Sequence, residues 1–239
     1  MTGGTWTVAR RILRGIRGDR MTIGLVIGAP VFIMYLVSEV FADTQGLAPM
    51  ILGILVFVLT YMLTSIGFLR ERQAGTLERI LVAPISRTSI VVGYFLGYGV
   101  LATIQSLVLL MAALFFLEVE FAHGIFLFFV LEILGAMTAI GIGILLSLFA
   151  DNEFQAIQFI PLVLTPQVVL GGTFTPIDTL PLYLRLPARV MPLTYLVQGM
   201  DYVIAGIGFL DDFIIAVAVL IEFTVLAIGV SQIVINNLS

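Results

Sequence analysis

Apolar residues fall in six long runs, at about Met21–Phe41, Pro49–Leu69, Ile90–Leu117, Gly124–Ala150, Phe154–Gly172 and Phe213–Ile235. Each is close to the roughly 20 residues that carry a helix across a 30 Å hydrocarbon core. The runs are continuously apolar rather than alternating, which argues against strands of a closed barrel. In hydrocarbon each backbone amide must be bonded within its own segment, so the pattern predicts six membrane-spanning helices. Ahead of them the period is that of an amphipathic helix. Val8, Ala9, Ile12, Leu13, Ile16 and Trp6 share one face, and Arg10, Arg11, Arg14 and Arg17 the other. Residues 1–20 therefore read as an interfacial helix with its apolar face dipped into the headgroup boundary, or as a basic flank that orients the first span; the two are compatible.

The connections divide into short and long. Ala42–Ala48, Glu118–His123 and Asp151–Glu153 permit only antiparallel neighbours. Arg70–Ser89 and Thr173–Asp212 are long enough to carry structure. Four prolines, Pro176, Pro181, Pro187 and Pro192, chop the apolar 173–212 stretch into short helices expected to lie at or re-enter the membrane face. Small residues at helical spacing, Gly24/Gly28, Gly93/Gly97 and Gly135/Ala139/Gly143, predict close helix contacts.

Composition agrees and sharpens the picture. The 239 residues are 60% hydrophobic and only 11% charged, with mean hydropathy +1.16. A water-soluble domain carries about 25% charged residues, so a soluble enzyme or a nucleic-acid binder is excluded. All 11 cations are Arg; nine lie before the first run or between the second and third, and two, Arg185 and Arg189, lie on the other side. The positive-inside rule then makes both termini and the 70–89 segment cytoplasmic. With no Cys and a single His123, thiolate chemistry, His-pair zinc sites and most catalytic triads are ruled out. No GxxxxGK[ST] motif occurs, so nothing in the chain cradles ATP phosphates.

The most specific stretch is Leu69–Arg87. Thr76–Val82 reads as a short amphipathic helix, with Leu77, Ile80 and Leu81 on one face and Glu78 and Arg79 turned away. Gly75 loosens its entry, Pro84 ends it, and Ser86 or Ser89 caps the next helix. A solvated, charged loop is the other reading of the same residues. The run Glu71-Arg72-Gln73-Ala74-Gly75-Thr76-Leu77-Glu78-Arg79, with Ile80, Leu81, Pro84 and Arg87 beyond it, resembles the ERxxGTLERLLxxPxxR signature of ABC-2 type ABC exporter permeases. Gly171-Gly172-Thr173-Phe174-Thr175-Pro176, Leu180-Pro181 and Pro192-Leu193-Thr194-Tyr195 are similar to that family's second pattern.

The resemblance implies a single all-α, polytopic transmembrane domain over residues 1–239, in a prokaryotic plasma membrane. It implies that the 70–89 segment docks on a separate ABC ATPase subunit, which would hold ATP and magnesium. Six spans are half the family's usual twelve, implying a second permease copy or a sister permease. The implied activity is outward movement of a hydrophobic or amphiphilic small molecule, or an ion, by alternating access. A lipid-modifying membrane enzyme and a non-transporting scaffold are the other readings. Intramembrane polar residues are sparse, and Gln105, Glu132 and Glu222 are the candidates for a substrate pathway. Counted from the span ends, Glu132 and Glu222 lie at similar depth, so convergence on one site is open.

Overall fold

The computed structural model describes residues 2–16, 19–82, 86–172 and 177–237, apart from the side chains of residues 2, 3, 16, 21, 78, 81, 178 and 235–237. Among these residues helix is the only regular structure, with no strand. Helix α1 is Thr2–Ile16. The first span consists of α2 (Arg20–Ile23), a π-helical turn (Gly24–Gly28) and α3 (Ala29–Val40). Then follow α4 (Thr44–Gln73), α5 (Thr76–Leu81), α6 (Arg87–Phe116) and α7 (Ile125–Ser147). The fifth span is α8 (Glu153–Phe159), a π-helical turn (Ile160–Leu164) and α9 (Thr165–Leu170). The chain closes with α10 (Leu182–Ala188), α11 (Pro192–Met200), a further π-helical turn (Asp201–Ala205) and α12 (Leu210–Asn237).

The six expected spans appear as five helices of spanning length and apolarity and one shorter apolar helix, Gly24–Val40. Several boundaries shift for local reasons. Asp43 caps α4 by accepting from the Gly46 amide at 2.9 Å, so the expected 42–48 loop shrinks and Pro49 falls inside the helix. At its other end α4 runs past Leu69 to Gln73, about 45 Å in all at 1.5 Å per residue. Ser86 caps α6 by accepting from the Ser89 amide, one of the two caps the sequence offers.

Spans α4 and α6 lie antiparallel, with Gln105 against Thr60 and Tyr94 against Glu71. Together with the pairing of Gln232 to Thr88, this gathers α1, the 70–87 segment, the 148–152 turn and the foot of α12 at one end, the Arg-rich end. The opposite, proline-rich end is closed by a clasp. Gln45 bonds the Glu120 backbone on both sides, at 2.8 and 3.0 Å, and the Ala122 and His123 amides donate to Ile204 and Val203. His123 is exposed and its ring stacks on that of Tyr202 at 4.0 Å. Helix α11 is sunk into the bundle, with Leu193, Leu196 and Met200 fully buried.

Two expectations about helix contacts need correction. The apolar face of α1 does not rest in headgroups: Val8, Ala9 and Ile12 are buried, and Val8 and Ile12 seat on α6. A Cβ on Gly93 would stand 2.7 Å from that of Val8 and 3.0 Å from the Thr5 carbonyl, and one on Gly97 2.7 Å from Ile12 Cδ1. The Gly93/Gly97 pair is thus a seat for α1. Trp6, at 240° on the wheel when Ile12 is at 120°, falls outside this face and is exposed. The Gly24/Gly28 pair, by contrast, packs on nothing among the described residues: a Cβ at either would meet no atom within 4 Å, and the two bound the π-helical turn. The stripe on α7 behaves as expected. Gly135 receives Leu196, and a Cβ on Gly143 would stand 3.1 Å from that of Thr64 and 3.2 Å from the Tyr61 carbonyl.

Gly93→Leu is therefore expected to lift α1 off α6, at a cost of about 1–3 kcal/mol for overpacking, whereas Gly28→Ala leaves stability unchanged or slightly raised. Hydrogen exchange of residues 5–15 checks this. Equal protection in both variants would refute the seat.

Candidate functional site

The site grows from the last turn of α4, where Arg70, Glu71, Arg72 and Gln73 each reach a different part of the molecule. Arg72 points into the C-terminal end of α7, donating to the carbonyls of Ser147 (2.9 Å), Leu148 (2.7 Å) and Ala150. A helix end is short of donors to its carbonyls, and a cation suits the negative end of the helix dipole, so the guanidinium serves both the Ser147 carbonyl, beside the Ala150 amide, and those of the turn beyond. Gln73 extends the contact to the Asp151 carbonyl at 2.8 Å. Arg70 forms a forked pair with Glu153 at the start of α8 (2.7 and 3.3 Å) and reaches Asp19 at the foot of the first span (3.2 Å). Glu71 accepts from the Tyr94 hydroxyl at 2.9 Å and pairs with Arg11 of α1 at 3.3 Å.

From this anchorage the chain turns into α5. Gly75 has φ +65°, a left-handed conformation that admits glycine without Cβ strain, so its part is a fixed turn rather than a loose entry. The position of α5 agrees with the sequence; its facing differs in one respect. Leu77, expected to present an apolar surface to a partner, is 2% exposed and buried in the chain's own core. Ile80 is half-buried, Arg79 is exposed, and Val82 just beyond is 86% exposed. Arg87 is the first residue of α6 and Thr76 the first of α5. The side chains of Glu78 and Leu81, Pro84, and the Thr173–Pro176 part of the second motif lie outside the described residues.

The intramembrane polar candidates separate. Gln105 and Glu132 are fully buried, and Gln105 bonds Thr60 at 3.4 Å. Neither Glu132 oxygen has a hydrogen-bond partner among the described residues, nor do Gln105 Oε1 and Ser106 Oγ. Glu222 instead lies exposed on the outside of α12. Depth separates them too. Thr138 meets Leu220 and Thr224, which flank Glu222, and Thr138 is six residues from Glu132, roughly 9 Å at 1.5 Å per residue. Within one chain these two carboxyl groups do not converge.

Comparison with known proteins places this arrangement. Residues 4–205 match the ABC-2 type transporter family. The chain belongs to that family. Among its relatives are ABC transporter G family member 20 of Dictyostelium discoideum, 29% identical over 68% of this chain and 22% of the relative, and the probable multidrug ABC transporter permease YbhR of Escherichia coli, 24% identical over 62% and 40%. The linearmycin resistance permease protein LnrN of Bacillus subtilis is 26% identical over 71% of this chain and 44% of its own length. The chain thus spans less than half the length of each of these relatives.

As a member of the ABC-2 family, the chain shows what its two signature stretches do locally. The first braces α4 against α1, α7 and α8. In the second, Thr194 donates to the Ala188 carbonyl (2.9 Å) and Tyr195 to that of Arg189 (2.7 Å), which finishes α10 and positions α11. Sequence reading missed the α7 cap and the Arg11–Glu71–Tyr94 link. An Arg placed just past the apolar limit of one span, beside the short 151–153 turn, is the signal for the first; nothing in the spacing announces the second.

Two outcomes follow. Arg72→Met removes the side-chain donor to the Leu148 and Ala150 carbonyls, and one of two donors to that of Ser147, and is expected to cost about 1–3 kcal/mol, seen as a lower midpoint of thermal unfolding; an unchanged midpoint refutes the cap. At the other end, burial pushes the Asp201 carboxyl up to about 6. The folded chain then takes up this proton before the unfolded chain does. The group's contribution to stability rises as pH falls through 6 and levels off below the unfolded value of about 3.9. Asp201→Asn should flatten that slope and be the more stable form at pH 7, by thermal unfolding between pH 7.5 and 4.5. A variant with the same slope contradicts it.

Proposed function

We propose that the chain is the transmembrane subunit of an ATP-driven exporter, with its Arg-rich end in the cytoplasm and both termini there. The ATPase subunit docks on the exposed tip of α5, using Arg79 and Val82. The observation that carries this reading is the combination of a fixed anchorage at Arg70–Gln73 with an apolar, 86% exposed Val82 a few residues beyond it. A push on the tip is then delivered to α4, α7 and α8 together. Glu71, Arg72, Gly75 and Leu77 act in coupling by holding α5 in place rather than by touching the partner. ATP and magnesium belong to that partner.

A second permease faces the fifth span. Only 17% of its residues are buried, against 61% of the 18-residue apolar stretch of α4, and its mean hydropathy of 1.2 is the lowest of the five spanning helices. Gln158 and Thr165 lie on its exposed side. Polar groups on an uncovered, kinked span suit a shared, hydrated pathway between two permeases. Gln105 and Glu132 join that pathway only when α4, α6 and α7 part during alternating access. The cargo is a hydrophobic or amphiphilic small molecule, in keeping with relatives named for multidrug transport and linearmycin resistance.

The experiment is reconstitution of the permease with its ATPase. Val82→Asp is expected to leave thermal unfolding unchanged and to abolish stimulation of ATP hydrolysis by the permease. Leu77→Asp should instead lower the unfolding midpoint, because it buries a charge. Wild-type transport by Val82→Asp would refute the docking surface.

A further inference from the structure

We propose that the half-open cavity lined by α1, the first span, α4 and Tyr98 of α6 at the Arg-rich end binds the headgroup of a phospholipid carrying both a phosphate and an amine. The cavity measures about 280 Å³. That is near the lower bound of the ~300–1,000 Å³ typical of small-ligand sites, so it suits a headgroup and not a whole lipid. Its lining is divided by polarity. Ile12, Leu63 and Ile66 form an apolar side, while Arg11, Asp19, Arg70 and Glu71 supply the charge. The cavity lies where the apolar part of α4 gives way to its charged end, which is the depth of lipid headgroups in the adjoining leaflet.

The charge pattern selects the ligand. Two guanidiniums and two carboxylates line the space as the pairs Arg11–Glu71 (3.3 Å) and Arg70–Asp19 (3.2 Å), and both arginine side chains keep about two-fifths of their surface exposed. A purely anionic head would meet two carboxylates, and a purely cationic one two guanidiniums. A phosphate joined to an ammonium a few bonds away meets a complementary partner for each charge, and its acyl chains can leave along the apolar side. Gly15 keeps the space open, since a Cβ there would touch nothing within 4 Å. Thr76, the first residue of α5, also lines the cavity, so an occupant contacts α1 and the turn into α5 at once. The site is independent of what the protein transports, and it stands whether or not an ATPase docks on α5.

Native mass spectrometry of the delipidated full chain tests this, with dioleoyl phosphatidylethanolamine, dioleoyl phosphatidylglycerol, dioleoylglycerol and glycerophosphoethanolamine as probes. Phosphatidylethanolamine should be retained about tenfold more tightly than phosphatidylglycerol or dioleoylglycerol, a difference of about 1.4 kcal/mol. The soluble head alone should not be retained. Gly15→Leu fills the space and should reduce phosphatidylethanolamine to the dioleoylglycerol level at an unchanged unfolding midpoint. Asp19→Asn keeps the cavity and should erase the preference over phosphatidylglycerol. Equal retention of all three lipids, or wild-type retention by Gly15→Leu, would mean ordinary annular contact and overturn the proposal. Preference for phosphatidylglycerol would overturn the zwitterionic match, and tight binding of glycerophosphoethanolamine would overturn the lipid source.

Discussion

Where α4 leaves the membrane, its last turn meets the turn that ends α7, a place where backbone carbonyls run short of amide donors. The last α7 carbonyls, of Leu145, Leu146 and Ser147, take the amides of Leu148, Phe149 and Ala150, and the carbonyls of the turn beyond lie close to the hydrocarbon boundary, where an orphaned polar group is costly. Arg72 fills that gap with one guanidinium and three carbonyls. Because α4 must arrive at that position, the residues on either side of Arg72 are placed as well. Arg70 falls against Glu153 and Asp19, and Glu71 against Tyr94 and Arg11. The register of the Arg-rich end follows from this single cap, and with it the point from which α5 departs.

The interior depends on a different economy. Without a hydrophobic drive between helices in lipid, close approach comes from small residues. Gly143 lets α7 touch the α4 backbone, Gly135 admits Leu196 of α11, and Gly93 and Gly97 admit α1. Glu132 is the exception within this packed core, fully buried with Ser106 as its polar neighbour. A carboxyl group in that position is costly in a closed bundle, and the proposed export cycle would give it a role when the surrounding helices separate.

Much of this was legible in the sequence because hydrocarbon imposes a simple rule. Continuous apolar runs must be helices, and the spans duly fall near their expected limits. The α5 helix, its glycine turn and the Ser86 cap were readable from local chemistry. What could not be read was direction. Leu77 belongs to an amphipathic pattern whether its apolar face looks outward to a partner or inward to the core, and only the packing decides. The same ambiguity misled the reading of α1, where an apolar face fits lipid and a glycine seat equally well. Gly24 and Gly28 have the spacing of a helix contact yet bound a π-helical turn, since spacing alone says nothing about what lies opposite. Glu132 and Glu222 were placed at one depth because span ends were counted in residues, whereas α7 and α12 are offset along their axes by the Thr138 contacts.

The central claim is that Arg72 holds the turn into α5 rigidly against the end of α7. Because the chain has no cysteine, spin labels on Val82→Cys and Phe149→Cys, both exposed positions, report that distance cleanly by pulsed electron resonance. A single narrow distance distribution that broadens when Arg72→Ala is added is the predicted result. A distribution already broad with Arg72 present, or one that Arg72→Ala leaves unchanged, would contradict it.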